Sequence, residues 1–287
     1  MRSFRFLAIT FAASLVAGCG GSGNEQASSD ESEAASGDAA LAADDWAPLD
    51  IAALKAEATR VVLVPSPTET QAALAKAGID ATLSDLVNAD RTYSDTSDAD
   101  HVAVRTGVVM ADLLLTLKSS DKAKLTERLK SIESGMGTLG VSGDLQATLA
   151  ELVSQVENDQ VDPERNDLLR DLEDVAGSKI PAADFDSDKY LPLLQAGSWL
   201  EGANLIARAM QAEGKFEQAN QLLRQPEVVE YFLRYVEDEG QERAADHILV
   251  TLKDTLNVLL TTAQKESLSS EDVKTIQEAT DSVLALL

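Results

Sequence analysis

One cysteine, Cys19, and two histidines, His101 and His247, are all that the 287 residues contain of either type. A single thiol excludes an intrachain disulfide, and two histidines leave little for a zinc site or for a histidine-dependent catalytic triad. Aromatic residues make up only 4% of the chain, too few for stacked-aromatic ligand platforms or for a β-sandwich interior. Basic residues are also scarce, with 24 Lys and Arg against 49 Asp and Glu and a formal charge of −25. Nucleic acid is therefore excluded as a partner, because neutralising phosphates needs clustered cations. The same repulsion disfavours docking of the folded surface on an anionic membrane face. No Gly-x-Ser-x-Gly, Walker or dinucleotide motif occurs, so nothing calls for a nucleotide or other cofactor. What is present is 44% apolar residues, largely Leu, Ala and Val, which favours an all-helical core.

The N-terminus carries the most specific signal. Arg2 and Arg5 precede an apolar run from Phe6 to Val16, too short to span a bilayer as a mature helix and matching a secretion signal over residues 1–18. The run closes with Leu15-Val16-Ala17-Gly18-Cys19, which resembles the lipobox of bacterial lipoproteins; an ordinary signal peptide with an incidental cysteine is the plainer alternative. The resemblance implies cleavage before Cys19, acylation of its sulfur and a membrane anchor of more than one chain, as lasting attachment requires. Residues 19–45 are the lipidated cysteine and a Gly-, Ser- and Ala-rich linker with Glu25, Asp30, Glu31, Glu33, Asp38, Asp44 and Asp45 and no basic residue. Such a segment buries too little apolar surface to offset its ordering entropy, and as a coil it reaches about 25–30 Å. Gly20 stands where an aspartate retains many lipoproteins at the inner membrane, so the resemblance points to the outer membrane, facing the periplasm.

Residues 46–287 read as one all-α domain, an antiparallel bundle of about ten helices. Ser66-Pro67-Thr68-Glu69 combines an N-cap serine, a proline at the first helical position and a capping-box glutamate, and Gly78 ends that helix. Asp162-Pro163 starts another, closed by Gly177. Further starts fall near Ser97, Ser120, Ser142, Pro226 and Ser270, and stops near Gly135, Gly140, Gly214 and Gly240. No segment alternates with a period of two, whereas Leu125, Leu129, Ile132 and Met136 keep helical three-four spacing.

Two helices differ from the rest. The one from about Asp98 to Lys118 is apolar around most of its circumference, with His101, Arg105 and Asp112 in one narrow polar stripe; Asp112 is a candidate for burial with Arg105 as its partner. The one from about Tyr190 to Glu213 carries Glu201, Asn204 and Arg208 on one face, opposite Trp199, which reads as core. The two stripes are expected to face each other across a polar cleft, or else to be structural ion pairs or solvated seams. Pro65-Ser66-Pro67-x-Glu69, Gly107-x-x-x-Ala111-Asp112-Leu113 and Gly197-x-Trp199-Leu200-Glu201 resemble the recurrent stretches of an uncharacterised family of all-helical bacterial envelope lipoproteins. Val109 and Met110 stand where that family has a tyrosine and a second glycine. The resemblance implies the helical fold and the anchor, and no activity.

Metal signals are weak. Asp184, Asp186 and Asp188 resemble the opening of a calcium loop, but Lys189 and Gln195 occupy the glycine and glutamate positions. Asp95, Asp98, Asp100 and His101 form a second oxygen-rich cluster, equally well explained by helix capping. The leading expectation is a non-enzymatic, membrane-tethered module that binds another envelope protein. The alternatives are a solute-binding domain with its pocket between helices 98–118 and 190–213, and a hydrolase pairing Asp112 with Glu201 within about 10 Å across an open cleft.

Overall fold

A computed structural model describes residues 61–87, 96–117, 120–140, 143–158, 169–170, 172, 179–181, 190–240, 244 and 247–287. Cys19, the expected signal peptide and linker, Asp95 and the Asp184, Asp186 and Asp188 triplet lie outside them. So does most of the helix expected after Pro163; Leu169 and Leu172, which are described, are buried. All described residues fall in one compact unit, Asp50–Leu287.

The fold is an all-α bundle. Its helices are α1 (Pro67–Lys76), α2 (Leu83–Leu86), α3 (Ala99–Thr116), α4 (Lys122–Thr138), α5 (Gly143–Glu157), α6 (Leu191–Glu213), α7 (Ala219–Leu222), α8 (Pro226–Gly240), α9 (Ile248–Ala263) and α10 (Ser270–Leu284). Two three-residue strands, β1 (Val61–Leu63) and β2 (Lys179–Pro181), pair antiparallel with Val62 opposite Ile180. Three residues are too few for an alternating pattern to be read, which is why the sequence does not announce them.

Local chemistry sets the helix ends. Ser66 and Glu69 form the expected capping box, with Glu69 N–H donating to Ser66 Oγ at 3.2 Å and Ser66 N–H to Glu69 Oε2 at 3.0 Å. Ser269 and Asp272 repeat the device at α10. The starts of α3 and α4 fall one residue later than expected, capped by Asp98 and Asp121 instead of the serines before them. A carboxylate accepts the same N–H bond and adds negative charge at the positive helix end. The stop expected at Gly135 does not occur, because α4 runs on to Thr138 and Gly140 takes the left-handed turn at φ +76°. Gly135 instead marks a contact: a Cβ there would lie 2.0 Å from Thr106 Oγ1 of α3.

Helices α3 and α6 form the centre. Every residue of α6 from Pro192 to Ala207 is buried, and α3 is buried from Val102 to Thr116 except at Arg105. Helix α4 packs on α3 and pairs with α5, α8 pairs with α9, and α10 lies along α6.

Candidate functional site

The two central helices meet backbone to backbone. A Cβ on Gly107 would stand 1.8 Å from the Leu194 carbonyl oxygen, and one on Gly197 2.0 Å from that of Val104. Each glycine thus faces the carbonyl three residues before the other glycine. Leu115, eight residues past Gly107, lines the same cleft as Ala203 and Ile206, six and nine residues past Gly197, so the two helices run in the same direction from their crossing. In this register Glu201 stands level with Ala111 and Asp112 level with Gly202.

The polar stripes do not flank an open cleft. Glu201 is 0% exposed and Asp112 3%, so no substrate-accessible gap separates the two carboxylates, and the geometry required of an acid/base pair in an open cleft is missing at these two residues. The remaining stripe residues go separate ways. Asn204 and Arg208 turn to α10: Asn204 Nδ2 donates to Thr280 Oγ1 at 2.9 Å and to Asp281 Oδ1 at 2.8 Å, and Arg208 Nη2 donates to the same carboxylate oxygen at 2.8 Å. Burial raises the Asp281 pKa, but the Arg208, Asn204 and Gln277 hydrogen bonds outweigh it and hold it below the usual value. His101 and Arg105 sit near the start of α3. Burial pushes the His101 pKa down and the Arg105 charge adds to this, against the opposing pulls of a Leu287 backbone hydrogen bond and the Asp98 charge. A helix buried on all sides has no solvent face for its polar stripe, so wheel geometry cannot say which neighbour the stripe meets.

The start of α3 gathers a cluster that the sequence shows only in part. His247, the N-cap of α9, accepts from Leu249 N–H through Nδ1 at 3.2 Å and places Nε2 3.0 Å from Asp98 Oδ2 and 3.5 Å from Asp100 Oδ2. One ligand atom of each of the three lies within 4.8 Å of the others. Asp100 is buried, while Asp98 is partly open and also caps α3 by accepting from His101 N–H at 2.8 Å. Burial raises the Asp98 pKa, yet the His101 N–H and His247 overcome it and leave it lowered. The expected partner of these aspartates was His101. Their ring partner is His247, 149 residues away in sequence, and no local pattern signals it.

A shallow cleft opens beside the crossing, walled by Pro67, Leu115, Trp199, Ile206 and Leu222 with Gly202 at its floor. It encloses about 370 Å³ counting the solvent in its mouth, and its closed part holds about one water. Trp199 packs against Phe232 with ring centroids 6.0 Å apart and donates Nε1–H to Gln225 Oε1 at 2.8 Å, so it is a core residue with its polar atom satisfied.

No family model, curated protein or solved structure matches the chain. Among the described residues, no helix is long and apolar enough to cross a membrane.

Proposed function

We propose that this protein is a lipid-anchored lipoprotein of the bacterial cell envelope whose helical domain binds or organises another envelope protein and performs no catalysis. The observation that carries the reading is the Leu15-Val16-Ala17-Gly18-Cys19 stretch behind Arg2, Arg5 and an apolar run. Acyl chains on Cys19 insert in the bilayer, the acidic linker of residues 20–45 spaces the domain from it, and the domain stays in the aqueous periplasm with its own surface repelled by anionic lipid. The interior supports a binding role over solute carriage. Helices in backbone contact at Gly107 and Gly197 leave no room between them for a ligand at their crossing, and a small-molecule site ordinarily needs several hundred Å³ of enclosed, largely preformed space.

Cross-linking in intact cells followed by mass spectrometry of the captured chain tests the interaction role. A recurrent envelope protein cross-linked to lysines of residues 61–287 is expected. Recovery of lipids alone, or of a different set of proteins in each replicate, contradicts it.

A further inference from the structure

The geometry points to a site for a divalent transition-metal ion at the meeting of the α3 and α9 N-termini, ligated by Asp98 Oδ2, Asp100 Oδ2 and His247 Nε2. A tetrahedral ion with arms of about 2.0–2.2 Å sets its ligand atoms about 3.3–3.6 Å apart. His247 Nε2 lies 3.5 Å from Asp100 Oδ2, inside that range, and 3.0 Å from Asp98 Oδ2, a pair that must open by a few tenths of an ångström to admit the ion. Two carboxylates and one imidazole within 4.8 Å of one another form a mixed O and N donor set, which selects zinc, manganese or iron over calcium and magnesium.

A second observation lies beside the three. The only other histidine of the chain, His101, borders the same cluster, close enough for its charge to interact with both Asp98 and His247. Its Nε2 is buried and has no hydrogen-bond partner. The two histidines of the 287-residue chain, 146 positions apart, thus meet at Asp98. Capping alone does not require this: Asp98 caps α3 with Oδ1, which leaves Oδ2 for the cluster, and Asp100 is already inside the first turn.

The competing state is one in which His247 Nε2–H donates to Asp98 and the lone pair on Nδ1 accepts from Leu249 N–H. Metal loading moves the ring proton from Nε2 to Nδ1, with no net proton released by the imidazole, and opens that one capping bond. The ion then pins α3 to α9, with a fourth coordination position left open.

The test is a zinc chloride titration of the full chain, purified in detergent and stripped with a chelator, read by equilibrium dialysis and elemental analysis. His247→Asn and Asp98→Asn are the variants, because asparagine is itself a strong N-cap and keeps both helix starts intact. One equivalent of zinc bound at micromolar affinity or tighter is expected in the unaltered chain, with affinity falling about 100-fold or more in His247→Asn and at least about 10-fold in Asp98→Asn while helical circular dichroism is unchanged. A tenfold excess of calcium chloride should leave the zinc in place. Zinc binding no tighter than the weak, multi-site association of an acidic surface, equal affinity in the unaltered chain and His247→Asn, or displacement by calcium each overturns the assignment.

Discussion

Two glycines of α6, Gly197 at the central crossing and Gly202 beside it, separate close packing from open space. Gly197→Ala drives a methyl to 2.0 Å from a backbone carbonyl that cannot rotate away; the helices must part, and a loss of about 3 kcal/mol or more in a urea melt is expected. Gly202, five residues on in the same helix, has nothing within 4 Å of a built Cβ. Gly202→Ala should therefore be neutral or should stabilise by up to about 1 kcal/mol, the helix-propensity gain. Equal effects of the two substitutions would show that the α3–α6 contact is not where we place it. Asp272 gives a pH prediction. Its carboxylate accepts from the Lys265 ammonium and from the Ser269 backbone and hydroxyl, which lowers its pKa to about 2 from an ordinary 3.8. A carboxylate with a depressed folded-state pKa binds more protons when unfolded, so its stabilisation is complete above about pH 4 and disappears as pH falls toward 2. The pH dependence of the urea midpoint between pH 4 and 2 should flatten in Asp272→Asn, and that variant should lose about 1 kcal/mol at pH 7 from the weakened capping box. An unchanged slope would remove Asp272 from the account.

At the scale of elements, Asp281 is the polar centre of the α10–α6 seam. It accepts from both Asn204 and Arg208, whose other bonds go to Thr280 Oγ1 and the Leu86 carbonyl, so Asp281→Ala removes the charged acceptor they share and should cost about 1–3 kcal/mol, read as a lower thermal midpoint. Arg208→Met removes one charge with one donor and should cost less; the reverse order would argue that Asn204 and Arg208 find other acceptors. What was legible here was whatever is local in sequence. The Ser66 capping box, the Pro226 start and the left-handed Gly214 cap need only a few neighbouring residues, and all three are found where the sequence puts them. The same reasoning placed Asn204 and Arg208 on one face of α6 and set that face toward α3, whereas both side chains meet α10, because both sides of that helix are covered and the wheel does not rank its neighbours. The β1–β2 pair and the His247 contact join residues more than a hundred positions apart, and neither leaves a periodic trace. Gly107 and Gly197 were visible as residues; that each would face the backbone of the other's helix was not readable.

For the molecule as a whole, an excess of 25 negative charges and a core closed at its centre leave the outer surface and the N-terminus as the places where the proposed attachments would be made. The charge makes association with a cationic partner patch fast and salt-sensitive. Capture of the partner should weaken as ionic strength rises from about 0.05 to 0.5 M; capture that strengthens with salt would point to an apolar interface instead. The proposed attachment through lipid would, by contrast, be indifferent to salt and depend on the Cys19 sulfur. Intact-mass analysis of the protein extracted from the native membrane measures that attachment directly. The account predicts a chain beginning at Cys19 and carrying acyl mass, absent in Cys19→Ala; a chain that retains Met1, or one that begins at residue 19 with an unmodified thiol, would contradict it.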